Sequence, residues 1–84
     1  MVDENTYAMV EHYNGQAFLS ARLSLDRGET QDAEQSRRNL ISSLATLEEE
    51  GEIGEYIQFL ESSRWDSARG IDEAQVKSDR LIKR

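Results

Sequence analysis

The residues of this chain that could do chemistry are a single histidine and a dense group of glutamates. His12 is the only histidine, and the chain contains no cysteine. A metal site or a general base needs further ligands or an orienting partner, and only Glu11 is adjacent in sequence. Serines without a neighbouring base are not activated nucleophiles, and no phosphate-binding or calcium-binding motif occurs. We therefore expect a protein that is not an enzyme and uses no metal or cofactor.

Five glutamates lie close together near the middle of the chain: Glu48, Glu49, Glu50, Glu52 and Glu55. They fall near the C-terminal end of a predicted helix, where the helix dipole disfavours negative charge. One interpretation is a solvated face that keeps the protein soluble, and another is a patch that binds a basic partner. Capture of a divalent cation by Glu48 and Glu52 is a third, although the loop carbonyls of calcium sites are missing. Partner binding is the hypothesis that we carry forward.

Charge is distributed unevenly over the 84 residues, which have a formal net charge of −7. Residues 1–61 hold thirteen acidic residues against four arginines, a net charge of −9, whereas residues 62–84 hold six basic residues against four acidic ones. Such a body repels phosphate backbones, so we expect no direct binding of nucleic acid. No stretch approaches the roughly 20 apolar residues of a membrane span, so we expect no membrane partner.

The Asn14–Gly15 pair lies between two arms that carry apolar residues, which is a strong local signal for a β-hairpin. With a two-residue turn at this pair, Val10 lies opposite Leu19, and both arms agree on one register. We therefore predict an α+β fold. A two-stranded hairpin at about residues 5–25 packs on an antiparallel pair of helices, with a short C-terminal helix.

The alternative is an all-α, four-helix bundle in which one long helix runs from about Asp3 to Asp26. Several residues of this segment are good helix formers: Ala8, Met9, Ala17, Leu19, Ala21 and Leu23. Such a helix must accommodate Asn14 and Gly15 in its interior, at a cost of about 1.5 kcal/mol. For this reason the hairpin is our main prediction for this segment, and the helix is the alternative.

Helical periodicity is clear after residue 26. An apolar stripe from Leu40 to Leu47 follows a predicted N-cap at Thr30, and a second stripe runs from Ile53 to Leu60. The linker between the two stripes is short, so we expect antiparallel neighbouring helices.

The C-terminal region is weakly basic and has few apolar residues. Asp72 is expected to cap a last helix over residues 73–83. We therefore divide the chain into a compact acidic domain at residues 1–65 and a helix or partly disordered tail at residues 66–84.

Three aromatic residues are candidates for apolar contact with a partner. Tyr7 and Phe18 fall on the outer face of the predicted hairpin, which is either covered by the C-terminal segment or open to a partner or a second copy. Trp65 follows the second helix. It either covers the open end of the helical pair or acts as an anchor of the kind enriched in interface hot spots.

These features favour a small, acidic, non-catalytic protein-binding module, such as an inhibitor, an antitoxin-like protein or an adaptor, that docks on a basic surface of another protein. Two alternatives are a nucleic-acid mimic that inhibits a DNA- or RNA-binding protein and a structural subunit of a larger assembly, for example a phage particle. A homodimer is also compatible with the sequence, and we expect a cytoplasmic location.

The predicted layout of residues 6–47, a hairpin followed by a turn and a helix, is similar to that of HicB-type antitoxins. This resemblance implies a toxin as the partner. The proline-containing strand motif of those antitoxins is absent, because the chain contains no proline.

Overall fold

The computed structural model describes residues 4–47 and 51–82 and contains four helices in these ranges. They are α1 (Glu4–Asp26), α2 (Thr30–Ala45), α3 (Gly51–Ser62) and α4 (Ala68–Ile82). The described ranges contain no strand, so the predicted α+β fold with a hairpin at residues 5–25 is wrong. The all-α, bundle-like alternative is correct. Without a hairpin, the resemblance to HicB-type antitoxins has no structural basis.

α1 forms because its buried residues recur at helical spacing on both sides of the Asn14–Gly15 pair. Tyr7, Val10, Phe18 and Ala21 are buried, and Asn14 is buried among them rather than exposed in a turn. Burying one large apolar side chain contributes about 1.5–3 kcal/mol. Several such side chains outweigh the cost of about 1.5 kcal/mol for Asn and Gly inside a helix.

α1 ends in a Schellman motif at Gly28, which has a φ of 76°. The N–H of Gly28 donates to the carbonyl oxygen of Leu25 at 2.9 Å, and the N–H of Glu29 donates to that of Ser24 at 2.8 Å. Thr30 is the first residue of α2 and not its N-cap as predicted, because the cap position is occupied by Glu29. The tight turn reverses the chain, so α2 returns alongside α1.

The helices form a ring of neighbours in which α1 and α3 each contact α2 and α4. Ser36 of α2 donates to Ser20 of α1 at 3.3 Å, and Arg37 of α2 donates to the carbonyl oxygen of Leu60 of α3 at 3.0 Å. The core between the helices is one continuous cluster: Val10, Phe18, Ala21, Ala33, Leu40, Leu44, Ile53, Tyr56, Ile57, Leu60, Trp65, Ile71, Ala74 and Ile82. α1 and α3 therefore lie diagonally across the bundle.

α4 begins earlier than the sequence predicted, because its N-terminus is capped by Ser67 and not by Asp72. The Ser67 hydroxyl accepts a hydrogen bond from the N–H of Gly70 at 3.1 Å. Asp72 lies inside the helix, where it forms an ion pair with Arg22 of α1. The apolar side of α4 thus joins the same core as the other three helices.

Candidate functional site

Acidic charge is concentrated on α3. This helix carries Glu52, Glu55 and Glu61 and no basic residue, whereas α2 and α4 each carry equal numbers of acidic and basic residues. The three glutamates are exposed. Glu52 and Glu55 are neighbours on this helix, whereas Glu61 follows Glu52 by nine residues, about two and a half turns, and projects from the opposite flank. We call Glu52 and Glu55 the acidic side of α3.

Glu52 and Glu55 have no hydrogen bond or ion pair within the described part of the chain. Carboxylates three residues apart on a helix are neighbours, with Cβ atoms about 5–6 Å apart, and they repel each other. Basic side chains of a partner would relieve this repulsion. Glu48, Glu49 and Glu50, the other members of the predicted acidic patch, lie outside the described residues.

A shallow groove of about 280 Å³ lies between α2 and α3, on the flank of α3 that carries Glu61. Its lining residues are Ile41, Ala45, Gly54, Ile57, Gln58 and Glu61. The small residues Ala45 and Gly54 lie on the two facing helices and leave room there for an apolar side chain. Sequence reasoning missed both this groove and Glu61. Ala45 and Gly54, two small residues at facing positions of the predicted antiparallel pair, were the feature of the sequence that could have indicated the groove.

The three aromatic candidates for partner contact lie in the core. Tyr7 is 5% exposed, Phe18 is 1% exposed and Trp65 is 0% exposed. The structure brings Phe18 and Trp65 into ring contact with each other and places neither beside Glu52 or Glu55 on the surface. A partner could touch these rings only by opening the bundle.

The connection between α3 and α4 is held against α2 by Glu34. Its Oε1 accepts a hydrogen bond from the backbone N–H of Trp65 at 3.1 Å, and its Oε2 accepts one from Nε of Arg37 at 2.9 Å. Arg37 in turn donates through Nη1 to the carbonyl oxygens of Leu60 and Glu61, at 3.0 and 3.3 Å. This network fixes the end of α3 and therefore the position from which Glu61 projects.

The basic residues after α3 are partly neutralised by nearby acids. Arg64 pairs with Asp66 at 3.0 Å, and Arg69 pairs with Glu73 at 3.1 Å. Both pairs border an open groove of about 500 Å³ between α3 and α4. This region therefore carries charges of both signs, in contrast to the acidic side of α3.

Tyr56 is a buried titratable group of the core. Burial raises the pKa of Tyr56 far above its usual value, the Asp79 carboxylate raises the pKa further, and the nearby Ser78 hydroxyl opposes these effects. The two hydroxyl groups nevertheless form no hydrogen bond of normal geometry in the described part of the chain. The protonated phenol is a structural group with no access to solvent.

His12 lies exposed on α1, and its ring makes an edge contact with Tyr13, with centroids 5.8 Å apart. Within residues 4–47 and 51–82, no three His, Cys, Asp or Glu side chains are grouped in a way that could hold a metal ion. No helix in the same ranges is long and apolar enough to cross a membrane.

Comparison of the chain with models of protein families, with curated proteins and with solved structures gave no match. The surface of the bundle is therefore the basis for inferring a function.

Proposed function

We propose that this protein is a small, non-catalytic protein-binding module, an inhibitor or adaptor, that docks through the acidic side of α3 on a basic surface of another protein. The observation that carries the proposal is the exposure of Glu52 and Glu55 on a helix that contains no basic residue, with no ion-pair partner for either among the described residues. A cytoplasmic location is part of the proposal.

Docking of this kind would combine electrostatic attraction with one apolar contact. Complementary charges accelerate the encounter between proteins and select against acidic partners. The groove between α2 and α3, on the flank of α3 that carries Glu61, would accept an apolar side chain of the same partner. Because Glu52 and Glu55 are exposed, added salt should screen the attraction and weaken binding.

The first experiment compares the proteins captured from the native host by three immobilised forms of the full chain. These are the wild type, the double variant Glu52→Gln/Glu55→Gln and a control, Glu4→Gln/Glu29→Gln, with the same change of charge at other exposed positions. We expect the α3 variant to lose a basic protein that the wild type and the control both retain. Equal capture by all three forms would contradict docking through α3.

The second experiment titrates the captured protein, once purified, with the wild-type chain at low and at physiological ionic strength. We expect weaker binding at the higher ionic strength. If the captured protein normally binds nucleic acid and DNA or RNA competes for the same surface, the chain acts as a nucleic-acid mimic and not as a general adaptor. Catalytic turnover by the purified chain would overturn the proposal altogether.

A further inference from the structure

α1 carries a second apolar face on the side that points away from the core. Met9, Tyr13, Leu19 and Leu23 are 44%, 42%, 56% and 46% exposed, and they are four of the six large apolar side chains exposed in the described ranges. Residues 12–21 contain no Asp, Glu, Lys or Arg. The longest helix of the bundle is therefore largely uncharged on its outer side.

Five exposed residues of this face form a continuous line, which we call the outer seam: Met9, His12, Gln16, Leu19 and Leu23. Met9, Gln16 and Leu23 are spaced seven residues apart, and His12 and Leu19 each follow three residues later. Alternating steps of three and four residues are the spacing by which helices pack along each other in coiled coils. One side of α1 therefore packs into the core, and the outer seam on its other side has no partner helix within the described chain.

We propose that the outer seam is the contact between two copies of this chain, which associate as an antiparallel dimer. The interface uses α1, which lies diagonally opposite α3 in the bundle. Each copy therefore keeps its acidic side of α3 accessible. This inference does not depend on the proposed docking function.

The outer seam is self-complementary in the antiparallel orientation. With a two-fold axis at Gln16, Met9 of one copy lies opposite Leu23 of the second, and His12 lies opposite Ser20, one residue from Leu19. The two Gln16 amides meet at the axis, where each can both donate and accept a hydrogen bond. A two-fold axis requires this kind of match, in which one patch fits a second copy of itself.

The charges beside the seam favour the same orientation. Arg22 lies on the side of α1 that faces α4, because it pairs with Asp72, and Glu11 lies eleven residues earlier, which is three helical turns and the same side. Antiparallel two-fold packing places this side of both copies on the same flank of the interface and brings Glu11 of each copy beside Arg22 of the other, whereas parallel packing places the two sides on opposite flanks, where this pair cannot form. The five N–H donors of a guanidinium allow Arg22 to bind Asp72 and Glu11 at once.

The size and the charge of the surface also fit a second copy. A standard interface buries about 800 Å² on each partner, roughly 15% of the 5462 Å² surface of this chain. The outer side of α1, about 34 Å long at 1.5 Å per residue, is a region of that scale. Because each chain carries a net charge of −7, two copies approach with least repulsion through an uncharged face.

The first test measures the mass of the full chain in solution by light scattering and by analytical ultracentrifugation over a range of concentrations. We expect a reversible monomer–dimer equilibrium for the wild type. Leu19→Glu places a charge in the seam and should weaken association at least about tenfold, a change of 1.4 kcal/mol or more. Leu81→Glu is the control, because Leu81 is exposed on α4 outside the seam. It should dimerise like the wild type.

Circular dichroism of each variant separates loss of association from loss of folding. A wild type that stays monomeric at the highest concentration, or a Leu19→Glu variant that dimerises as tightly as the wild type, would overturn the proposal. In either case the capture experiment on α3 is unaffected, so the two proposals fail independently.

The second test determines the orientation and uses the absence of native cysteine. A short bis-maleimide reagent should link Gln16→Cys chains to each other, because this position lies near the two-fold axis. It should not link Met9→Cys chains to each other, but should link Met9→Cys to Leu23→Cys in a mixture. Self-linking of Met9→Cys would show parallel packing and overturn the antiparallel arrangement.

Discussion

The rings of Phe18 and Trp65 pack against each other in the core, with centroids 4.5 Å apart and planes inclined by 31°. Both side chains are almost completely excluded from solvent. The contact joins the middle of α1 to the connection between α3 and α4. Aromatic pairs of this geometry contribute about 0.5–1.5 kcal/mol beyond the area that they bury.

Phe18→Ala should therefore remove a large part of the stability of the fold. Truncation of a buried phenylalanine costs about 3–5 kcal/mol, and a chain of this length has about 4–8 kcal/mol in total at 0.05–0.1 kcal/mol per residue. Urea denaturation followed by the fluorescence of Trp65, the only tryptophan, measures the change. Val76→Ala, at an exposed position of α4, is the control and should change stability by less than about 0.5 kcal/mol. Equal unfolding midpoints would contradict this account of the core.

The sequence predicted the middle helices well and the two ends of the chain poorly. The stripes Leu40–Leu47 and Ile53–Leu60 repeat at helical spacing without interruption, so local pattern alone was sufficient. At Asn14–Gly15 the local sequence favoured a turn. A helix through this pair, however, buries apolar residues on both sides of it, and this tertiary burial determined the structure. At the start of α4, Asp72 was the predicted N-cap, whereas Ser67 occupies that position in the structure. A helix that begins at Ala68 buries Ile71 completely in the core, and this tertiary burial is not visible in the local pattern.

The candidate site was predictable only in part. Composition identified Glu52 and Glu55 as acidic residues close together, and the structure shows that both are exposed. The aromatic candidates were harder to place, because a helix and a strand direct the same residues to different faces. With α1 helical, Tyr7 and Phe18 share the core-facing side.

Substitution by alanine should change the stability of the fold in opposite directions at two glycines. Gly15 lies inside α1, and a Cβ there meets no atom within 4 Å, so Gly15→Ala should stabilise the monomer by about 0.8–1 kcal/mol. A Cβ on Gly70 would collide with the backbone carbonyl oxygen of Arg64, so Gly70→Ala must displace the backbone and should destabilise the fold. Thermal unfolding at low protein concentration compares them, and a gain of 1 kcal/mol raises Tm by about 4–8 °C. A higher Tm for Gly70→Ala would contradict the close approach.

Glu34 should contribute more to the stability of the fold than the acidic residues of the other ion pairs do. Glu34→Ala leaves the backbone N–H of Trp65 and the Nε–H of the half-buried Arg37 without their acceptor, and a lost partner of this kind costs about 1–3 kcal/mol. Glu73→Ala is the matched control, because its pair with Arg69 is exposed and such pairs contribute about 0–1 kcal/mol. Urea denaturation of both variants tests the difference. If both variants lose the same free energy of unfolding, the network at the end of α3 contributes no more to stability than an exposed ion pair does.

Tyr56 should make the protein lose stability in alkaline solution. Burial raises the pKa of its phenol in the folded state, so the contribution of Tyr56 is complete below the ordinary tyrosine pKa of about 10. As the pH rises above that value, the unfolded chain releases the phenol proton and the folded chain retains it, so the free energy of unfolding falls. Tyr56→Phe removes this titration together with a buried hydroxyl that lacks a hydrogen bond within the described chain. Its stability should be similar to that of the wild type at neutral pH and should decline less steeply in alkali. Urea denaturation across this pH range measures both curves, and parallel curves would show that the folded protein ionises Tyr56 as readily as the unfolded chain does.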